Sequence, residues 1–420
     1  MGVQESHVRL RLQIWKFYPR YFEGSQIQLC SFVPMNQQPL QFAHVRPAYQ
    51  RGLALVLLPA LMMLSPLIVA QERIGFRRTQ MVDFEGATFA GAALIPGDKA
   101  SRRVLAWGNA VVSIAFPSGK ETRISAGGGF GTGGCVLDVN SDGQPDLLLF
   151  EKGPPGETGR MVWLEAPKGE LHVIDTDADF TDCLPTQMFG TAGVALLHRH
   201  SQLRFYEIPA DPNEKWSYRE LYSIYTPSAQ SGLISYDVDG NGQPDLFGGN
   251  YWFQAPPSAD KPWHIFAINK WWEDAQSAML KLALVPHADN RFPSLLAAEA
   301  TASPARVALF DPGKDPKQLW QQLVVEAVPP IRHPEALAAA DLNGDSLTDI
   351  IIGENAGDGS RLLIYWGMPG GTYQGTRIDL TGGLIAVWPV DYNGDGRMDL
   401  IGLGPSTFYV WRNQPLKKKP

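Results

Sequence analysis

The chain has 420 residues and a net charge of −7, from 43 acidic and 36 basic side chains. That balance argues against a nucleic-acid partner, which calls for a basic face. Length alone suggests two or three domains, whereas 42 glycines and 33 prolines point to many short strands and turns.

Residues 1–51 carry no repeat or fold signal and read as an N-terminal extension, with Met35 a conventional alternative start for an export signal. Gly52 to Ala70 is apolar and uncharged, and Arg46 and Arg51 precede it. Residues 52–70 are therefore expected to be a signal peptide cleaved after Ala70, or a membrane anchor that tethers the protein. Pro59 and Pro66 weaken a spanning helix. The expected location is outside the cytoplasm: secreted, periplasmic or at the cell surface. Residues 71–420 are expected to form the folded domain.

Next along the chain, Gly75 to Asp83 alternates as a strand, and a first repeat unit ends in Val104 to Asn109. Then four acidic loops share one pattern. Their oxygen side chains fall at positions 1, 3, 5 and 9: Asp138, Asn140, Asp142 and Asp146; Asp237, Asp239, Asn241 and Asp245; Asp341, Asn343, Asp345 and Asp349; Asp391, Asn393, Asp395 and Asp399. A hard dication such as calcium takes six to eight oxygens, and alternate residues of a tight loop supply them from one side. Without a cation the acids would repel one another. Glycine at position 6 permits the positive φ of the reversal. Ser346 takes that place in the third loop, so this loop is expected to be the weakest site.

Each loop precedes a short apolar run, such as Leu147 to Phe150 or Ile350 to Ile352, so it joins strands and not the helices of an EF-hand. The loops start 99, 104 and 50 residues apart, which sets a unit of about 50 residues with two units lacking a loop. Val194 to Leu197 and Ser294 to Glu299 supply those units. An aromatic strand follows each apolar run, as in Val162-Trp163-Leu164 and Tyr251-Trp252-Phe253, and a further short strand closes the unit. Four strands in each of seven units predict an all-β, seven-bladed β-propeller. No fourth strand follows 407–412, so residues 75–83 are expected to pair there as an N-terminal strand closing the last blade.

These loops resemble those of FG-GAP and VCBS-type repeat proteins, which share the calcium-loop propeller at the head of integrin α chains. Gly129-Phe130-Gly131 and Gly248-Gly249 fit the resemblance, which spans roughly residues 74 to 420. It implies calcium as the cofactor. It also implies recognition on the face opposite the metal loops.

On that face the blade connections carry Trp271, Trp272 and Glu273, and further on Arg332 and His333. Exposed aromatics beside acids suit a carbohydrate or protein ligand; alternatively one tryptophan plugs the groove between blades. Aligned second-strand ends place Asn109, Glu151, Arg199, Asn250, Glu299, Glu354 and Gly404 in a ring, either a polar channel mouth or ordinary strand ends. Cys135 and Cys183 sit at the starts of successive units and read as two buried thiols, with pairing left open.

Enzyme signals are weak, with no Gly-x-Ser-x-Gly, His-Glu-x-x-His or phosphate loop. The leading expectation is an exported, calcium-stabilised binding or adhesion module. The alternatives are a calcium-dependent polysaccharide lyase using Arg332 or Lys270, and a structural module without a small ligand.

Overall fold

A computed structural model describes residues 74–95, 102–125, 128–199, 201–224, 231–271, 279–287 and 292–415. The expectations for residues 1–51, for residues 52–70, and for Trp272 and Glu273 lie outside these. No helix among the described residues is long and apolar enough to cross a membrane.

Twenty-eight strands form seven four-stranded antiparallel sheets, the blades of a seven-bladed propeller. Strand β1 is Ile74–Asp83. Blade one holds β2 (Phe89–Ile95), β3 (Arg103–Gly108), β4 (Val111–Ala115) and β5 (Lys120–Ser125). Blade two holds β6 (Phe130–Leu137), β7 (Asp146–Glu151), β8 (Arg160–Glu165) and β9 (Glu170–Asp175). Blade three holds β10 (Phe180–Met188), β11 (Thr191–His198), β12 (Gln202–Glu207) and β13 (Ser217–Ser223). Blade four holds β14 (Ile234–Tyr236), β15 (Asp245–Gly248), β16 (Tyr251–Gln254) and β17 (His264–Ala267). Blade five holds β18 (Leu280–Val285), β19 (Ser294–Glu299), β20 (Val307–Asp311) and β21 (Gln321–Val324). Blade six holds β22 (Pro334–Ala340), β23 (Asp349–Glu354), β24 (Arg361–Met368) and β25 (Thr372–Asp379). Blade seven holds β26 (Ala386–Val390), β27 (Asp399–Leu403) and β28 (Thr407–Pro415).

The last blade takes its fourth strand from the start of the domain. β1 pairs antiparallel with β28, from Ile74 opposite Pro415 to Asp83 opposite Thr407, with a bulge between Arg78 and Gln80. Thr407 Oγ1 donates to Asp83 Oδ1 at 2.8 Å. The pairing sets Phe76 beside Trp366 of blade six, with ring centroids 6.3 Å apart.

Seven apolar clusters fill the seven blade interfaces. A second strand faces a different neighbour on each side, which is why it reads as a continuous apolar run. In β7, Leu148 packs toward blade three while Leu147 and Leu149 pack toward blade one. Third strands bury their aromatics: Trp163, Tyr206, Trp252 and Trp411 are each almost wholly enclosed.

The inner strands of successive blades run side by side, and this corrects the reading of the cysteines. Cys135 on β6 and Cys183 on β10 form a disulfide with Cα atoms 5.4 Å apart, within bridging range. Their separation of 48 residues is one repeat, which places them at the same level of neighbouring blades.

One buried histidine gives the fold a pH dependence. His198 ends β11 almost wholly buried, and its Nδ1 accepts from Asp179 N at 3.4 Å. Burial, with Arg204 and Arg199 nearby, pulls its pKa down to about 4. The folded state thus keeps the ring neutral where the unfolded chain, near 6.5, binds a proton. This stabilisation is complete above pH 6.5 and is lost as pH falls toward 4. We expect denaturant midpoints to drop across pH 6.5 to 4, and His198→Asn, which keeps an acceptor but does not titrate, to flatten that slope. An equal slope in the variant would contradict this.

Candidate functional site

The four acidic loops are built alike. Each joins the first strand of a blade to the second, so all four lie on one face of the ring. The position-1 carboxylate accepts from the main-chain N–H groups of positions 5 and 6, as Asp138 does from Asp142 at 3.1 Å and Gly143 at 2.9 Å. Asp237, Asp341 and Asp391 repeat both contacts. The side-chain oxygen at position 3 accepts from the N–H of position 5, and position 5 accepts from that of position 7. These bonds curl each loop about its first carboxylate.

Position 9 ties the loop to the sheet. Asp146, Asp245, Asp349 and Asp399 have no solvent exposure. Each accepts an N–H from the far end of the blade's third strand or just beyond it: Ala166 at 2.9 Å, Ala255 at 2.6 Å, Gly367 at 2.8 Å and Asn413 at 2.7 Å. The first three also accept from position 2 of their own loops. Burial raises all four pKa values, those of Asp245 and Asp349 to about 6. A carboxylate so desolvated needs a compensating positive charge to stay ionised. Asp399 has one in Arg412, whose Nε lies 3.1 Å away. The other three face no ion-pair partner among the described residues.

An all-oxygen set of three carboxylates and one amide, with a buried charge at its base, fits a hard dication. In the second loop Asp237, Asp239 and Asp245 each place one oxygen within 4.8 Å of the others.

Two features of the loops escaped the sequence reading. Position 2 is an apolar wedge: Val139, Val238, Leu342 and Tyr392 are buried in the clusters shared with blades three, five, seven and one. Tyr392 Oη also donates to Pro117 O at 2.7 Å. The loops therefore couple a metal-type oxygen cage to four of the seven blade interfaces. Position 4 also requires positive φ. Gly240, Gly344 and Gly394 meet this freely, but the first loop has Ser141 at φ 59°. Ser346 at position 6 sits at φ 66°. Each of these serines costs roughly 1–2 kcal/mol in the left-handed region.

Blade five shows what replaces a loop. Ser294 occupies the position-9 place at the head of β19, and His287 Nε2 meets its Oγ at 2.9 Å. Asp311 Oδ2 lies 3.9 Å from that same nitrogen. Both partners share one ring atom, which is not the relay of a serine hydrolase. They border a cavity of about 390 Å³ between blades five and six.

The candidates on the opposite face separate. Trp271 is 5% exposed and packs edge-on against Phe310 with Arg306 over its ring, so it plugs the groove between blades four and five. Of the two readings of this pair, the plug holds for Trp271 and the exposed aromatic does not, because the groove beside β18 takes the indole. Within the ring of second-strand ends the three glutamates are hairpin latches, whereas Arg199 pairs with Asp177 and Asn109 bonds to Thr88 and Gly86. Glu151 pairs with Arg160, Glu299 with Arg306 at 2.6 Å, and Glu354 with Arg361 at 2.5 Å. Each arginine opens or closely precedes the third strand of the same blade. The main-chain N–H of Arg332 donates to Glu354, and its guanidinium donates to Gly359 O. His333 sits beside it at φ 43°.

A seven-bladed propeller with recurrent acidic loops on one face defines the class of protein. A family model described as an FG-GAP-like repeat matches residues 341–402, the segment holding the third and fourth loops. That segment is similar to FG-GAP-like repeats. An ancestral GH74 enzyme of known structure is similar in fold, with a TM-score of 0.50 at 12% identity over 82% of this chain and 52% of that one. The chain thus spans about half the length of that enzyme, and the likeness concerns the fold alone. No curated protein matches the chain.

Proposed function

We propose that this chain is an exported, calcium-stabilised propeller that binds a carbohydrate or protein on the face opposite its acidic loops. The observation that carries the reading is the buried position-9 aspartate, repeated in four loops with one hydrogen-bond pattern. Calcium would be held by the oxygens of positions 1, 3, 5 and 9 and would supply the positive charge that Asp146, Asp245 and Asp349 lack, Asp399 having Arg412 beside it. The apolar wedge at position 2 ties that charge balance to blade packing. The Cys135–Cys183 bridge supports export, since disulfides persist in oxidising compartments. It accords with the apolar stretch at 52–70.

The lyase alternative is less well supported. It needs a base and calcium in one groove, yet Lys270 and Arg332 belong to blade connections on the face away from the acidic loops. The guanidinium of Arg332 is already committed to Gly359. A glycan array probed with the calcium-loaded protein, and again in excess chelator, tests the proposal. We expect retained glycans with calcium and loss of them without it. A folded, calcium-loaded protein that retains none would remove carbohydrate from the reading.

A further inference from the structure

The axial channel carries a ring of inner-strand residues that the acidic loops do not involve. Thr132, Asp182, Gly232, Lys281, Glu335 and Ile385 follow one another at intervals of 49 to 54 residues, one from each of blades two to seven. All lie at or next to the starts of inner strands. The acidic loops leave from the ends of those strands, so this ring is at the opposite mouth of the channel. Five of the six line a cavity of about 210 Å³, and Gly232 reaches its edge by donating its N–H to Asp182 at 2.7 Å. A second cavity of about 130 Å³ shares Lys281, Glu335 and Ile385 with the first, so the two adjoin. Each is smaller than the ~300–1,000 Å³ of a typical small-molecule site, which suits one terminal unit of a larger ligand.

Charge in this mouth is arranged in alternation. Lys281 Nζ stands 3.7 Å from Asp182 Oδ1, beyond hydrogen-bond length. Among the described residues no acceptor lies within hydrogen-bond reach of that ammonium. Asp182 Oδ2 is occupied by Gly232 N and by Thr181 Oγ1 at 3.0 Å, which leaves Oδ1 for a further donor. Glu335, half-buried on the far side, lies close enough to Asn355 and Lys281 for both to offset the cost of burying its charge. The side chains of Lys281 and Asp182 remain 36% and 14% exposed, so the group is reachable.

Indole rings wall the site. Trp107 lines the first cavity and Trp388 the second. A Cβ at Gly91 or Gly134 would fall 2.5 or 2.8 Å from the Trp107 ring. Two neighbouring inner strands thus give up side chains to seat one buried indole beneath the first cavity.

We propose that this mouth is a binding site for a neutral, polyhydroxylated ligand, the terminal unit of a saccharide. The inference rests on the binding-module reading and names its site and ligand class. Two carboxylates around one ammonium disfavour an anion, and Lys281 disfavours a simple cation. A hydroxyl both donates and accepts, so successive hydroxyls of a sugar satisfy Asp182, Lys281 and Glu335 in turn. Trp388, only partly buried, offers an apolar surface to one face of a pyranose.

The test uses the calcium-loaded protein on the glycan array, followed by calorimetry with the best-retained neutral oligosaccharide. Glucuronate and glycine serve as anionic and zwitterionic probes. We expect Lys281→Met and Glu335→Gln each to weaken saccharide affinity at least tenfold with the melting temperature unchanged, and neither glucuronate nor glycine to bind. Saccharide binding left intact in both variants would overturn the axial site while the binding module stands. Binding of glucuronate or glycine in place of neutral sugar would overturn the ligand class. An array without any retained glycan would remove the axial proposal and the carbohydrate reading together. Lys281→Arg keeps the charge and donors and serves as the folding control, with affinity expected within a few-fold of the parent.

Discussion

Removing calcium should lower the melting temperature of this protein by on the order of 10 °C. A ligand that binds only the folded state stabilises it by about 2.7 kcal/mol per site at a hundredfold excess over Kd, and four sites act together. The wedges at Val139, Val238, Leu342 and Tyr392 put that loss at blade interfaces, so unfolding in chelator should also be less cooperative. Calorimetry should count four ions. The loop beginning Asp237 should bind tightest, because it has glycine at both strained positions and a convergent trio of carboxylates. Ser141→Gly and Ser346→Gly should each tighten their own sites by roughly fivefold or more, the equivalent of ~1 kcal/mol of relieved strain. Asp391→Ala with Asp395→Ala should loosen the last blade. Two ions or fewer, or an unchanged melting curve in chelator, would sink the metal reading.

The same carboxylates predict a pH signature for the metal-free protein. Asp245 and Asp349 have folded pKa values raised to about 6 by burial, above the 3.8 of an ordinary aspartate. A raised carboxylate binds its proton more readily in the folded state. Its stabilising contribution is therefore complete below pH 3.8 and lost as pH climbs through about 6. In chelator, stability should fall over that window, against the trend set by His198. Saturating calcium should abolish the fall by holding both groups ionised. Melting curves at pH 5 and pH 7.5, with and without calcium, separate the two behaviours.

Much of this was legible in the sequence because the loops state their chemistry locally. Nine residues contain every oxygen of the cage, and the 50-residue period orders the blades. Closure was legible too, since β1 alternates where the last blade lacks a strand. What was obscured depends on neighbours in space. A groove-plugging tryptophan is among the readings of the sequence, but that Trp271 is the plug follows from the shape of the groove between blades four and five, which no local pattern encodes. The glutamates at second-strand ends looked like a channel ring until their partners appeared on the next strand. A signal for them did exist: Arg160, Arg306 and Arg361 follow Glu151, Glu299 and Glu354 by nine, seven and seven residues. Cys135 and Cys183 likewise stand one repeat apart, which in a propeller means adjacent inner strands. The axial ring was hidden because each inner strand contributes a different residue type to it, so no motif recurs.

Deleting residues 71–84 should make the domain aggregate or lose cooperative unfolding, whereas deleting 1–70 should leave the fold intact. β1 supplies the whole outer strand of blade seven, nine register pairs with β28, and no other described strand takes that place. Without it, β28 becomes an exposed edge rich in aromatics, running Thr407-Phe408-Tyr409-Val410-Trp411. An unpaired edge of that kind is a template for intermolecular pairing. The damage would spread to both neighbours. Phe76 packs against Trp366 in blade six, and Val82 and Phe84 belong to the cluster shared with blade one. Phe84 N and Phe89 N also donate to Ser406 O and Pro405 O, which anchors the connection into blade one. Substitution tests the same point more gently. Proline at Met81, opposite Tyr409 in the ladder, should broaden the thermal transition and raise the aggregation rate. Size-exclusion chromatography and calorimetric unfolding of the two truncations decide the matter. A monomeric, cooperatively unfolding protein lacking 71–84 would show that the ring closes without this strand.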